Sequence, residues 1–151
     1  MAQWMAFDAM WTANLPTLKT SCSQWTESDN SDQENADISS AILSVAQSSG
    51  VDSRFLLAIM LQESQGCVRV PETNYGVQNP GLFQSHDGSG TCNTAQAMSG
   101  KIVKAGIAQT PCPASEITQM VTDGAKGTSQ GAGLQQLIQH CLLYTSPSPR
   151  D

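Results

Sequence analysis

The sequence predicts a single, mainly α-helical domain with an irregular, loop-rich stretch at its centre. Three observations carry that expectation. Apolar residues recur at helical spacing in consecutive segments around 37–50 and 52–66,. Gly and Pro crowd residues 67–93, with Pro71, Gly76, Asn79-Pro80-Gly81, Gly88 and Gly90,. The length suits one domain that buries roughly two thirds of its unfolded surface.

Taken in order, Trp4, Phe7 and Trp11 form an apolar stripe at i, i+3 and i+7, so a first helix is expected to end before Pro16,. Asp8 interrupts that stripe. Residues 21–36 are polar and acidic (Glu27, Asp29, Asp32, Glu34) and read as a surface loop rather than a calcium site,. Asp37 is placed to cap a second helix whose stripe is Ile38, Ala41, Ile42, Val45 and Ala46, with Gly50 as its stop,. Asp52 caps a third, Ser53 to Gln65, ended by Gly66. Its Phe55-Leu-Leu-Ala-Ile-Met-Leu run has no polar face, the pattern of a buried helix. Ser115 is expected to cap a short helix with the stripe Ile117, Met120 and Val121, stopped at Gly124. Leu134, Leu137 and Ile138 open a last one.

From Cys141 onward the string Cys-Leu-Leu-Tyr-Thr-Ser-Pro-Ser-Pro-Arg-Asp suits no structural element. It resembles, codon for codon, the translation of a common transposase sequencing adapter. Residues 1–140 are therefore expected to form the domain and 141–151 a non-native tail, with the natural chain continuing past His140.

Composition excludes several classes. Thirteen Asp and Glu against seven scattered Lys and Arg give a net charge of −6. That disfavours nucleic acid, whose phosphates call for a basic patch, and an anionic membrane surface. No apolar run reaches the roughly 20 residues of a membrane span. With Cys141 set aside, Cys22, Cys67, Cys92 and Cys112 are dispersed, with no CxxC pair and no His at metal-ligand spacing, so neither zinc nor any other metal or cofactor is expected,. Two disulfides in a secreted protein is the preferred reading, with Cys22–Cys67 and Cys92–Cys112 favoured among three pairings and four free buried thiols as the alternative. No signal peptide is visible at Met1-Ala-Gln-Trp-Met,.

Glu63 is the one acidic residue of the apolar helix, on the face of Phe55 and Ile59,. Apolar neighbours disfavour its ionised form, and the negative end of the helix dipole adds to this. Such a carboxyl suits a general acid that protonates a glycosidic oxygen. On spacing alone, a solvated Glu at a helix end is an equal alternative.

Phe55-Leu-Leu-Ala-Ile-Met-Leu-Gln-Glu-Ser, followed by Gly81-Leu-Phe-Gln, resembles the soluble lytic transglycosylase and goose-type lysozyme families. Their signature is an apolar helix ending in Glu-Ser and then a Gly-Leu-Met-Gln turn; here Phe83 stands in place of Met. Cys67-Val-Arg-Val-Pro and Asn79-Pro-Gly-Leu-Phe-Gln-Ser-His-Asp-Gly are similar to the secreted fungal branch. The resemblance implies a lysozyme-like helical domain with a short β region, incomplete at its C-terminal end, and a monomer acting on a polysaccharide. It implies Glu63 as acid and then base, Ser64 as a hydrogen-bonding supporter, and Gly81, Leu82, Phe83 and Gln84 as cleft lining. A Tyr-Asn pair that completes the family's cleft is absent; Asn74-Tyr75 has the wrong order and place, and the pair falls where the tail begins.

Asp87 is the nearby candidate for a second, water-activating carboxylate, and is weighed as a turn residue before Gly88; His86 is read as a loop residue. A single-Glu lytic transglycosylase acting on peptidoglycan is the expectation. The alternatives are a hydrolase of chitin-type N-acetylated glycans and a non-catalytic secreted glycan-binding or interaction protein.

Overall fold

A computed structural model describes residues 4–145. It corrects the expected mainly α class to α+β: five helices accompany a four-stranded mixed sheet. The helices are α1 (Phe7–Leu18), α2 (Asp32–Ser49), α3 (Ser53–Ser64), α4 (Ala114–Lys126) and α5 (Leu134–Thr145). The strands are β1 (Glu72–Asn74), β2 (Gln78–Asn79), β3 (Gln96–Met98) and β4 (Lys101–Lys104), in the order β2-β1-β3-β4. β1 runs parallel to β3, with Glu72 beside Gln96, and the other two pairs are antiparallel. The strands have only two to four residues, and β4 is exposed along its whole length, so no alternation of apolar and polar residues marks them in the sequence,.

The helices differ from expectation at their ends, each time for an identifiable reason. α1 starts at Phe7, leaving Trp4 outside it with Arg54 over its ring at 5.7 Å, and continues through Pro16 to Leu18. Leu18 is fully buried against Gly66, where a Cβ would fall 2.8 Å from Leu18 Cγ, and this anchor holds the last turn past the proline. α2 begins five residues before Asp37, inside the stretch expected to be loop. Ser31 and Glu34 form a capping box: Ser31 Oγ accepts from the Glu34 N–H, and Glu34 Oε2 accepts from the Ser31 N–H,. Another acid of that stretch, Asp29, accepts from the N–H groups of Cys22 and Ser23 and so caps the start of a short 3₁₀ turn, Ser21–Trp25,. α4 passes through Gly124, which is glycine because the Phe83 ring lies where any side chain would be, and ends at Lys126 before Gly127. α5 crosses position 141, and residues 146–151 lie outside the described residues.

α2 packs on α3 and α4 around Ile38, Ile42, Leu56, Leu57, Met60, Ile117 and Val121. The disulfides Cys22–Cys67 and Cys92–Cys112 clamp the connecting segments, and Cys141 belongs to neither. Two disulfides are compatible with an extracellular protein. Among the described residues no helix is long and apolar enough to cross a membrane.

At the centre lies an ion pair that the sequence did not suggest. Arg69 is wholly inaccessible and gives Nη1 and Nη2 to the two oxygens of Glu34 at 2.6 and 3.1 Å. Its Nε donates to Ser28 O, and its remaining N–H groups to Asp29 O and Gln109 O, so every guanidinium donor has a partner,. Glu34 also accepts from the Cys112 N–H at 2.7 Å. Burial alone would raise the Glu34 pKa; the bonds from Arg69, Cys112 and Ser31 outweigh it and hold the carboxyl at about 2,.

Removing one partner of such a pair leaves a buried, uncompensated charge. Arg69→Ala is therefore expected to lower stability by about 3–5 kcal/mol in urea unfolding. Because Glu34 has a folded-state pKa below its unfolded value, its contribution is complete above the unfolded value near 4.5 and is lost as pH falls toward 2,. Acid titration of the unfolding midpoint should show this loss in the native chain and a weaker one in Glu34→Gln.

Candidate active site

Glu63 stands in the last turn of α3. Its side chain is open to solvent and makes no hydrogen bond within the described residues, yet protein around it displaces part of the carboxyl's water and raises its pKa,. The expected full burial of this helix is only partly met. Leu56, Leu57 and Met60 are buried, whereas Phe55, Ile59 and Leu61 are half-buried. Glu63 thus extends from a half-apolar face rather than from the core.

Ser64 is turned away from that face. Its buried hydroxyl donates to Met60 O and accepts from the Gly66 N–H, closing the helix end on itself,. Gln65 and Gly66 then take positive φ, at 54° and 82°, and lead directly to Cys67. The hydroxyl's role is to fix the exit of α3, and through it the turn that carries Glu63.

The Gly81–Gln84 turn is fixed from three sides. At Gly81, φ is 75° and a Cβ would fall 2.6 Å from Gly90 O, so both conformation and space require glycine,. Leu82 is fully buried, with its N–H on Met120 Sδ, and Phe83 is buried against Gly124. Gln84 donates to Pro71 O and Gly81 O, and its Oε1 accepts from the Thr73 N–H. It therefore bolts the turn to β1.

Ile59, one helical turn before Glu63 on the same face, joins Phe83 and Gln84 in lining a cavity of about 160 Å³,. Ser85, His86, Leu134 and Leu137 complete much of the wall. The Glu63 helix and the Gly81–Gln84 turn thus meet at one cleft; Glu63 does not line it, and its link to it is Ile59, one turn earlier on the same face. Asp87 lies apart from this cavity: with His86 it lines a second, more polar groove. Its φ of 52° and the N–H it gives to Gln78 O make it a turn residue.

Two further acids have roles that motif reading did not reach. Asp123, buried on α4, accepts from the Ser89 and Gly90 N–H groups at 2.8 and 2.9 Å and from Gln119 at 2.7 Å. It holds the loop after the Gly81–Gln84 turn, and its only sequence signal was an acid three residues after Met120 on the apolar stripe. Glu72, buried on β1, accepts from Gln78; burial raises its pKa, with Lys104 acting against the rise. No sequence pattern marked it. Among the described residues no group of three or more His, Cys, Asp or Glu is placed to hold a metal ion.

No family model matches this chain. Nor does any curated protein or solved structure match it.

The raised pKa of Glu63 is directly measurable. In a carboxyl carbon NMR titration Glu63 should have its midpoint above the ordinary 4.5, whereas Glu34 should titrate near 2. A raised folded-state pKa makes ionisation of Glu63 destabilising as pH rises through that midpoint. Glu63→Gln is therefore expected to be no less stable than the native chain at neutral pH.

Proposed function

We propose that the protein is a secreted, monomeric enzyme that cleaves β-1,4 glycosidic bonds in an N-acetylated glycan, peptidoglycan foremost, by a single-Glu lytic transglycosylase mechanism. The observation that carries this reading is a partly desolvated carboxyl without hydrogen-bond partners on the helix whose Ile59, together with Phe83 and Gln84, lines the cleft. The disulfides accord with work outside the cell,.

In this scheme Glu63, protonated in the resting site, gives its proton to the glycosidic oxygen as the C1–O bond breaks and positive charge develops on the sugar ring. The resulting carboxylate then takes the proton of the sugar's own 6-hydroxyl. That oxygen closes on C1, leaving a 1,6-anhydro end and restoring the acid. No water is consumed, so no second carboxylate is needed. The disposition of the other acids supports this choice over hydrolysis. Asp123 already accepts several hydrogen bonds, Glu72 is buried on β1, and Asp87 belongs to the groove beyond His86. None stands free at the cavity that Ile59 and Phe83 line.

Digestion of purified peptidoglycan followed by mass spectrometry tests the reading. Muropeptides with 1,6-anhydro ends are expected from the native chain. Reducing ends instead would assign hydrolysis, and cleavage of chitin oligomers alone would assign the other glycan class. No cleavage of either polymer would leave a non-catalytic glycan-binding protein. Glu63→Gln should lose at least about a hundredfold in rate, the lower range for a general acid, with an unchanged circular dichroism spectrum.

A further inference from the structure

Beyond His86 the cleft is continued by a groove of about 410 Å³, within the range of small-molecule sites,. Seven residues line it, among them Asn74, Gln78, His86, Asp87 and Gln130. Asp87 alone carries a carboxylate, and none of the seven is Lys or Arg. The side chains of His86, Asp87 and Gln130 make no hydrogen bond within the described residues. The carboxamide of Gln78 uses only one of its N–H groups, on Glu72. Polar capacity is thus left open toward the groove.

The walls carrying these groups are fixed before any ligand arrives. Asp87 N–H bonds Gln78 O at 2.8 Å, and Asn74 Oδ1 accepts from the Gly76 N–H at 3.0 Å. On the far side Thr128 gives its hydroxyl to His86 O at 2.7 Å. The 128–131 turn packs so close that a Cβ on Gly131 would fall 2.8 Å from His86 Cβ. A rigid groove lowers the ordering cost of binding.

We propose that this groove is a subsite for a 2-amino sugar with a free ammonium group, paired with Asp87, while the carboxamides of Asn74, Gln78 and Gln130 take the sugar hydroxyls. The assignment rests on the glycan-cleaving reading above, because His86 is shared by groove and cleft and one saccharide chain can pass from one to the other. An unpaired carboxylate in a groove without Lys or Arg favours a cation over a neutral acetamido group,. Asp87 then has a binding role in place of the base considered for it.

The test is calorimetric binding of β-1,4-linked tetramers of glucosamine and of N-acetylglucosamine to the Glu63→Gln chain, where cleavage does not intrude. It is run at mildly acidic pH, where the tetramer's amino groups, weaker bases than alkyl amines, carry their protons, and every comparison is made at that one pH. The glucosamine tetramer should bind up to about fivefold tighter, the upper size of one exposed charge pair, and added salt should erase the margin,. Adding Asp87→Asn should remove the preference while leaving the N-acetylglucosamine affinity in place. Asn accepts the positive φ at 87, so the turn survives the change,.

Amide shifts of Gln78 and Gln130 should move on titration with glucosamine, and in the Asn variant the same movement should need about fivefold more of it. Equal affinities, a preference that persists in Asp87→Asn, or no binding of either tetramer would each overturn the subsite. Because no outcome depends on cleavage, the catalytic reading is decided separately by the peptidoglycan digest.

Discussion

Arg69 directs its five N–H groups to a carboxylate on α2 and to backbone carbonyls of residues 28, 29 and 109, which no regular element would otherwise join. A guanidinium at zero exposure is tolerable only because each donor is met and its charge is matched,. Glu34 completes the arrangement from the other side: the same carboxylate caps α2, binds the N–H of disulfide-bonded Cys112 and neutralises the arginine. Asn93 adds a hydrogen bond to Arg69 O. A pair of this kind contributes little over a well-packed apolar substitute, yet removal of one member is costly. It specifies which loops meet.

The candidate site depends on that junction through covalent neighbours. The end of α3 carries Glu63; four residues later Cys67 is tied to Cys22, and two after that Arg69 is locked. Pro71 follows, and its carbonyl accepts from Gln84. The distance from the acid to the Gly81–Gln84 turn is thereby held through a short, fully anchored stretch. The acids differ in what surrounds them, and this separates their roles. Glu34 and Asp123 are saturated with donors and serve structure. Glu63 has neither donors nor full hydration, the condition that favours a protonated carboxyl,.

Much of this was legible in the sequence where periodicity or spacing carried it. The stripes of α2, α3 and α4 lie in the core, and the Glu63 helix and Gly81 turn meet at one cleft through Ile59, Phe83 and Gln84. Of the sheet only a short β region was expected, and its individual strands were not legible, because two to four residues with exposed β4 leave no pattern to read. The capping box at Ser31 was present as Ser-x-x-Glu but sat in an acidic run that resembles loop,. Gly124 looks like a helix stop; it serves instead as space for Phe83, a tertiary demand that one segment cannot reveal. Ser64 illustrates a further limit: spacing places the residue, but its hydroxyl is satisfied by its own helix end,.

The proposed chemistry rests on one carboxyl whose pKa its surroundings raise,. The pH dependence of kcat/KM for glycan cleavage tests it most directly, set against the Glu63 titration followed by NMR in the same free protein. A rate that falls with rising pH at the titration midpoint of Glu63 is the result this account predicts. A falling limb at a different pH, or cleavage that persists with an unaltered profile in Glu63→Gln, would contradict it.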